Sequence, residues 1–248
     1  MINFNPEQRF IVTGASSGIG EGVAILLNEL GATVIGIGRN VERLEGMKAK
    51  CKHPENVFLE PKDLTEDIPG LPAYVKSLKE KYGKFQGLAY CAGVTLNKPL
   101  QMKDYDESRR LFDIDYFAPV FMAKGFGDKR NIVGNGTSMV FISSAAALRR
   151  ERAMSDYAGA KSALCASMRS IARELAPHGI RVNCLLPSDI ATPMTDGVSD
   201  FVQQRLDDYP MGRGQVVDVA NFVAFLLSDK ARWVTGQSYV VDCCNNRL

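Results

Sequence analysis

A tyrosine and a lysine four positions apart are the residues of this sequence best suited to proton transfer. Tyr157 and Lys161 fall near the start of a segment with helical periodicity, so their side chains would share one helix face. An ammonium beside a phenol stabilises the phenolate and lowers the pKa of a tyrosine from its ordinary value of about 10. Such a pair can donate or accept a proton near neutral pH.

Ser144 adds a hydroxyl to this pair, because it follows a predicted strand just upstream of them. A serine hydroxyl in that place can hydrogen-bond a substrate oxygen as charge develops on it. The tyrosine–lysine spacing alone is also common on solvated helix faces. Its combination with Ser144 and with a glycine-rich turn near the start of the chain is what indicates an active site.

The glycine-rich turn occupies positions 13–20, between an apolar strand-like run and a helical segment. Glycines let the backbone turn sharply and approach a pyrophosphate closely, and the following helix N-terminus offers unpaired N–H groups and a positive dipole end. A tight connection without a ligand would also explain the glycines, but the position in the chain favours dinucleotide binding. The predicted contacts are Gly14, Ser16, Ser17, Gly18, Ile19 and Gly20.

Arg39 indicates which dinucleotide would bind. It follows the second predicted strand about twenty residues past the glycines, beside the adenosine ribose. An acidic residue there would bind the 2′-hydroxyl of NAD, whereas an arginine pairs with a 2′-phosphate. We therefore predict NADP(H), while an ordinary surface arginine would leave NAD(H) as the alternative. Asp63 and Leu64, after the third strand, are predicted to flank the adenine.

The elements that must position these residues alternate along the chain. Strands are predicted at 9–13, 33–37, 57–59, 87–91, 139–142, 180–185 and 238–241, and helices at 19–30, 41–50, 72–82, 105–126, 155–176 and 216–227. Strands that alternate with helices of this length form βαβ units and a parallel sheet. The predicted fold is α/β, of the Rossmann-type doubly wound class, with a seven-stranded parallel sheet and helices on both faces. We read residues 1–248 as one domain.

Composition argues against several other classes. The 248 residues carry a formal net charge of +2 with both signs mixed, unlike a nucleic-acid-binding or membrane-surface protein. No apolar run is long enough to span a membrane, and the first residues do not read as a secretory signal. The six cysteines are scattered and the two histidines, His53 and His178, lie far apart, so no metal site is expected. We expect a cytoplasmic protein with reduced thiols.

These motifs together resemble the short-chain dehydrogenase/reductase family in its single-domain form, especially members of the 3-oxoacyl-carrier-protein reductase type. The resemblance runs nearly end to end. It rests on the turn at 13–20, Asp63, Cys91-Ala92-Gly93, the spacing of Ser144, Tyr157 and Lys161, Val182-Asn183 leading to Pro187, Ile190 and Thr192, and Thr235-Gly236-Gln237 before Val241-Asp242.

The resemblance implies a role for each matching residue. Tyr157 would be the acid/base, Lys161 would bind the nicotinamide ribose and assist the tyrosine, and Ser144 would orient the carbonyl. The remaining residues implied to line the cofactor are Ala92, Gly93, Pro187, Ile190 and Thr192. The resemblance also implies a homo-oligomer, either a tetramer or a dimer.

The sequence departs from the family pattern at several positions. Asp115 stands where the family usually has a catalytic asparagine that holds a water linking the lysine to solvent; we take Asp115 as a catalytic candidate. Tyr90-Cys91 replaces the asparagine common before Ala92-Gly93. Near the C-terminus, Asp242-Cys243-Cys244 replaces D-G-G, and Pro187-Ser188 replaces P-G. These last changes are expected to affect loop geometry more than chemistry.

Two stretches should shape the substrate side, namely 145–156 and a predicted lid at 191–211. The first contains Arg149-Arg150-Glu151-Arg152, and we hypothesise that one of these arginines meets an anionic group of the substrate, such as a carboxylate, a phosphate or the phosphopantetheine of a carrier. A solvated loop or a subunit contact would also explain these charges.

The sequence leaves three functions open. The first is an NADP(H)-dependent reductase of ketones or aldehydes, with 3-oxoacyl-type reductases the commonest among similar sequences. The second is a sugar or secondary-alcohol dehydrogenase that works in the oxidising direction. The third is a catalytically silent NADP-binding protein. Asp115 favours the third, whereas the presence of Ser144, Tyr157 and Lys161 together argues against it.

Overall fold

Seven parallel strands form one sheet in the order β3-β2-β1-β4-β5-β6-β7 in a computed structural model that describes residues 1–149, 151–194 and 209–245. The strands are β1 Arg9–Thr13, β2 Thr33–Gly38, β3 Val57–Pro61, β4 Gly87–Tyr90, β5 Ser138–Ile142, β6 Arg181–Pro187 and β7 Ser238–Val241. The predicted seven-stranded parallel sheet is confirmed, and β4, β5 and β6 are buried along their whole length. Continuous burial is expected for parallel strands covered on both faces.

Helices cover both faces of this sheet. They are α1 Gly18–Glu29, α2 Val41–Ala49, α3 Leu71–Tyr82, α4 Tyr105–Phe112, α5 Ala118–Phe126, α6 Ser155–Leu175 and α7 Val216–Leu227. Successive side chains of β1 point to opposite faces, so Ile11 packs in one apolar core with α3, α5 and α6, while Phe10 and Val12 pack in the other with α1, α2 and α7. The doubly wound arrangement predicted from the alternation of elements is therefore confirmed.

The order of the strands reverses at β1, which lies between β2 and β4. In open α/β sheets a crevice forms beyond the carboxyl ends of the strands at such a point. Thr13 at the end of β1 pairs in register with Tyr90 at the end of β4. The Thr13 hydroxyl accepts hydrogen bonds from the backbone N–H groups of Cys91 and Ala92, both at 3.1 Å. This one side chain therefore joins the two loops that border the crevice.

The helix predicted at 105–126 is interrupted by a π-helical turn over Asp113–Phe117. Pro119 has no N–H to donate to the Asp115 carbonyl four residues earlier, so the regular α-helical pattern cannot continue there. The Ala118 N–H bonds the carbonyl of Asp113. The carbonyl of Ile114 instead accepts a hydrogen bond from the Tyr90 hydroxyl at 3.0 Å. Turns of this type occur frequently at functional sites.

Other predicted boundaries differ by few residues, as helix and strand ends commonly do. The third strand extends two residues further than predicted, to Pro61, and the helix predicted at 72–82 begins at Leu71. The predicted lid at 191–211 falls mostly on 195–208, which lie outside the described residues. The single-domain reading of 1–248 stays a prediction. Within the described ranges, no helix has the length and apolar character needed to cross a membrane.

Two adjacent cysteines after β7 adopt left-handed backbone conformations, with φ of 53° at Cys243 and 58° at Cys244. A side chain with a Cβ is strained there, whereas glycine is not. We expect Cys244→Gly, at an exposed position, to raise the free energy of unfolding by about 0.5 kcal/mol, as measured by urea denaturation. Cys244→Ser is the matched control, and an equal gain in that variant would contradict the backbone explanation.

Candidate active site

A cleft of about 760 Å³ opens beyond the carboxyl ends of the central strands. Every residue that the sequence predicted to bind the cofactor or to act in catalysis lines this cleft, with the exception of Asp115. The glycine turn and the tyrosine–lysine pair are more than a hundred residues apart in the sequence. Their convergence on one cleft follows from the strand order, because the loops after β1, β4, β5 and β6 all emerge at the same edge of the sheet.

The glycine-rich turn closes tightly at both of its ends. A Cβ on Gly14, whose φ is +67°, would lie 2.9 Å from the backbone nitrogen of Ala92, and a Cβ on Gly20 would lie 2.3 Å from the carbonyl oxygen of Gly14. No larger residue fits at either position without moving backbone. Helix α1 begins at Gly18, and its N-cap Ser17 makes no side-chain capping bond. The first-turn N–H groups and the positive end of the helix dipole can therefore bind an anion in the cleft.

The opposite wall of the cleft comes close to this turn. A Cβ on Gly18 would lie 3.3 Å from the methyl carbon of Thr192, which follows β6. A ligand phosphate bound at the helix N-terminus would thus be enclosed between α1 and the segment after β6. This geometry fits a dinucleotide pyrophosphate, which the backbone must approach closely.

Arg39 and Asp63 form an exposed ion pair at the far end of the cleft. The guanidinium Nη1 lies 3.6 Å from Asp63 Oδ2, and the Arg39 side chain is 73% exposed. Burial acts to raise the pKa of Asp63, but hydrogen bonds from Thr65 and the charge of Arg39 outweigh it, so the pKa lies below its usual value. An exposed pair of this length contributes little stability. Arg39 can therefore turn towards a bound anion at small cost.

Lys161 is buried at the centre of the catalytic group. Its Nζ donates to the carbonyl of Ile142 at 3.1 Å and lies 5.7 Å from the centre of the Tyr157 ring. Burial acts to lower the pKa of Lys161, but the nearby Asp115 carboxylate and then Tyr157 outweigh it, so the pKa is raised. The ammonium therefore keeps its charge beside the tyrosine.

Asp115 is the second buried charge of the site. It comes from the π-helical turn, and its Oδ1 lies 3.5 Å from Lys161 Nζ and accepts from the Val94 N–H at 3.1 Å. A Cβ on Gly93 would lie 2.7 Å from Oδ1, so a larger residue there would push the carboxylate from its place. Burial raises the pKa of Asp115, and Lys161 and the Val94 N–H offset only part of that effect. Oδ2 is buried and makes no hydrogen bond within the described structure.

Three supporting residues were not predicted as part of the site. Ser143 donates from its hydroxyl to the Lys161 carbonyl at 3.0 Å and so fixes α6 against β5. Thr13 and Tyr90 hold the loop after β4 and the π-helical turn through the bonds described above. A supporting role for Tyr90 could have been predicted from the sequence, because a tyrosine hydroxyl in a buried strand needs a hydrogen-bond partner.

Arg149 does not have the predicted role. Its side chain is 4% exposed and its Nη2 lies 3.0 Å from Asp242 Oδ2. The guanidinium also donates to Ser188 Oγ at 2.6 Å and to the Asn245 carbonyl at 3.2 Å. The hypothesis that this arginine meets an anionic substrate is therefore wrong, because a carboxylate of the same chain already pairs with it. Ser188, which departs from the family pattern, and Asp242, which matches it, are thus both partners of one buried arginine.

The other two arginines of that stretch have different outcomes. Arg150 lies outside the described residues. Arg152 is exposed and does not line the cleft, so its contact with a substrate anion stays a prediction. Within the described ranges, no three or more histidine, cysteine, aspartate or glutamate side chains come together in a way that could hold a metal ion.

Known proteins match nearly the whole chain. Residues 14–244 match the family model described as enoyl-(acyl carrier protein) reductase. The 3-oxoacyl-[acyl-carrier-protein] reductase FabG of Staphylococcus aureus is 30% identical over 237 residues, which cover 94% of this chain and 95% of that protein. The D-erythrulose reductase of Gallus gallus is 32% identical over 241 residues, which cover 95% of this chain and 94% of that protein.

Two solved structures resemble the fold closely. A short-chain type dehydrogenase/reductase from Mycobacterium ulcerans has a TM-score of 0.88 at 32% identity and covers 97% of this chain and 90% of its own. A short-chain dehydrogenase from Burkholderia cenocepacia in complex with NADP has a TM-score of 0.90 at 26% identity and covers 98% of this chain and 100% of its own. The chain belongs to the short-chain dehydrogenase/reductase family. It is an oxidoreductase acting on CH–OH or C=O groups, in a family that binds nicotinamide cofactors.

The ion pair of Arg149 gives a testable stability prediction. We expect Arg149→Ala to lower the free energy of unfolding by about 3 kcal/mol, because it leaves the Asp242 carboxylate partly buried without a partner. Urea denaturation would measure the change. The matched control is Arg152→Ala, which removes an exposed arginine and should change stability by less than about 0.5 kcal/mol. Equal, small effects in both variants would contradict the importance of the buried pair.

Proposed function

We propose that this protein is an NADP(H)-dependent reductase that transfers hydride to the carbonyl carbon of a ketone or 3-oxoacyl substrate. The observation that carries the proposal is the convergence of Ser144, Tyr157 and Lys161 on the same cleft as the glycine turn and Arg39. Arg39, rather than an acidic residue, follows β2 and supports NADP(H) over NAD(H). The names of the relatives, a 3-oxoacyl reductase and an erythrulose reductase, support carbonyl reduction.

The predicted cofactor contacts fit NADP(H) from one end to the other. The N-terminus of α1 would bind the pyrophosphate, Arg39 the 2′-phosphate, and Asp63 and Leu64 would flank the adenine. Lys161 would bind the nicotinamide ribose. The segment with Pro187, Ile190 and Thr192 would contact the nicotinamide end, opposite Ala92 and Gly93. When bound, NADPH supplies the hydride that the protein side chains cannot supply.

The protein's own residues manage the proton and the charge. Tyr157 donates its phenolic proton to the carbonyl oxygen as negative charge develops there. Ser144 orients that oxygen by a hydrogen bond, and its own hydroxyl accepts from the Ala146 N–H at 3.1 Å, which fixes its direction. Lys161 stabilises the phenolate left on Tyr157, since its ammonium is buried next to the ring.

Two alternatives share the same cleft. A sugar or secondary-alcohol dehydrogenase would use the same groups in the reverse direction, with Tyr157 as the base. A catalytically silent NADP-binding protein would need the cofactor contacts alone. The presence of Tyr157 beside Lys161 favours an enzyme, because a binding protein could use the ammonium for the ribose but gains nothing from a phenol next to it.

Further aspects of the proposal concern assembly, location and the substrate. All six cysteines are free thiols, which supports a reducing, cytoplasmic environment. Trp233 is 90% exposed and Val217 52% exposed near α7, which supports a homo-oligomer, a tetramer or a dimer.

An anionic or carrier-bound substrate would have to be met by residues other than Arg149. An unchanged KM in Arg152→Ala for such a substrate would exclude Arg152 as that contact.

Tyr157→Phe tests the acid/base assignment. The change removes only the hydroxyl, so we expect kcat to fall by about 10³-fold or more while the Kd for NADPH changes little. A panel of ketones and aldehydes with NADPH absorbance would measure turnover, and cofactor fluorescence would measure binding. Tyr105→Phe, at an exposed position on α4, is the matched control and should keep full activity. Full activity in Tyr157→Phe would refute the assignment.

Arg39→Ala tests the choice of cofactor. Loss of a charge-assisted contact to the 2′-phosphate should weaken NADPH binding by about thirty-fold, while NADH binding should change less than about twofold. Titration with each cofactor would measure both constants. Arg173→Ala, an exposed arginine at the distant end of α6, serves as the control. Equal losses for the two cofactors would show that Arg39 does not contact the 2′-phosphate.

A further inference from the structure

Asp115 shares the catalytic lysine with Tyr157. Lys161 has the carboxylate Oδ1 at 3.5 Å, the Ile142 carbonyl at 3.1 Å and the Tyr157 ring centre at 5.7 Å. The Asp115 side chain is fully buried and the Lys161 side chain is 5% exposed. Charges act on one another more strongly in such a site than in water, because little solvent lies between them. The carboxylate must therefore affect how strongly the ammonium acts on the phenol.

The surroundings of this pair contain few other charges. In the part of the chain that the structure describes, the titratable groups acting on it are Tyr157 and Cys165 from α6, Tyr90 and Cys91 from β4 and the residue after it, and Cys184 from β6. Burial raises the pKa of Cys91 to about 12 and that of Tyr90 well above its ordinary value, so both are neutral near neutral pH. Hydrogen bonding with Cys184 lowers the pKa of Cys165 to about 6, so a Cys165 thiolate can add a second negative charge near Lys161. Lys161 and Asp115 are the oppositely charged pair in direct contact beside Tyr157.

The structure holds the carboxylate in this place through several independent features. The π-helical turn directs Asp115 inwards, and the Tyr90 hydroxyl binds the carbonyl that the turn leaves free. The Val94 N–H binds Oδ1, and the absence of a side chain at Gly93 makes room for it. Asp115 Oδ1 is thus held by the Val94 N–H and Lys161, and the π-helical turn and Gly93 allow it to lie there, so the aspartate is a built part of the site.

We propose that Asp115 is a positioning residue that offsets the charge of Lys161 and thereby keeps Tyr157 in its proton-carrying phenol form, which fits the site for carbonyl reduction. This inference rests on the proposed function. A neutral side chain at 115 would leave the whole ammonium charge to stabilise the phenolate. With the carboxylate present, part of that charge is neutralised and the anion also repels the phenolate. Reduction needs the phenol as a proton donor, whereas oxidation needs the phenolate as a base.

The sign of the effect can be measured with Asp115→Asn. In this variant the phenolate is better stabilised, so the pH above which the reduction rate falls should move down by about one unit. The pH above which the oxidation rate reaches its plateau should move down by the same amount. Ethyl acetoacetate with NADPH and ethyl 3-hydroxybutyrate with NADP⁺ are suitable probes. Asp106→Asn, an exposed aspartate on α4, removes the same formal charge outside the cleft and should leave both profiles unchanged.

A spectroscopic titration gives a second readout that needs no turnover. The ultraviolet absorbance of tyrosinate is followed against pH in the wild type and in Asp115→Asn, and the matching Tyr157→Phe variants are subtracted. The midpoint of the difference should lie about one unit lower in Asp115→Asn. Asp115→Ser removes the carboxylate with a smaller side chain and should shift the midpoint in the same direction, which covers the case in which the asparagine variant folds poorly.

The outcomes separate this inference from the proposed function. Midpoints that stay unchanged, or that move to higher pH, in the folded variants overturn the role of Asp115 even if Tyr157→Phe is inactive. Full turnover in Tyr157→Phe overturns the proposed function whatever Asp115→Asn does. A downward shift in both the rate profile and the absorbance titration supports the inference.

Discussion

Keeping an ammonium charged inside the protein is the constraint on which the rest of the site depends. A buried cation is costly unless it is paired and hydrogen-bonded, and Lys161 satisfies that requirement with a carbonyl from the end of β5 and a carboxylate from the π-helical turn. Each partner in turn dictates local structure. Helix α6 must lie against β5, and the helical segment between α4 and α5 must widen at Asp115. The loop after β4 must pass close enough for the Val94 N–H to bind the carboxylate.

The same loop after β4 links this polar centre to the glycine turn. Thr13 fixes its first residues from the β1 side, while Asp115 fixes Val94 from the helix side. The cofactor half and the catalytic half of the cleft therefore share one segment of backbone. The geometry of the nicotinamide end depends on both halves. Glycine is required at 14 for the backbone contact with Ala92, and glycine at 93 leaves room for the Asp115 carboxylate.

The sequence predicted what depends on local periodicity and on short spacings. The strands, the order of elements, the turn before α1 and the placement of Tyr157 and Lys161 on one helix face all follow from such patterns, and the structure agrees with them. The π-helical turn was missed, although Pro119 marks the place where a hydrogen bond is lost. Periodicity over 105–126 is compatible with one extra residue in the helix, so it cannot reveal the turn.

Contacts between distant parts of the chain were beyond sequence reasoning. Arg149 was one of three arginines of a basic stretch predicted to include a substrate contact. Its partners Ser188, Asp242 and Asn245 are 39, 93 and 96 residues away. The neighbouring residues in the sequence do not distinguish an arginine that forms a buried ion pair from one that is exposed to solvent. The hydrogen bond from the Tyr90 hydroxyl to the Ile114 carbonyl could not be predicted for the same reason, because the two residues meet only after the sheet and the helix have packed together.

The anchoring of Arg149 by Asp242 and the Asn245 carbonyl ties the last part of the described chain to the turn that carries Ser188 beside the cleft. Residues from distant parts of the chain thus complete one wall of the cleft. A polypeptide released from the ribosome before Asp242 would contain every catalytic side chain, yet its buried guanidinium would have no counter-charge. For protein engineers, the same link makes the segment from Asp242 to Asn245 a poor place for an insertion.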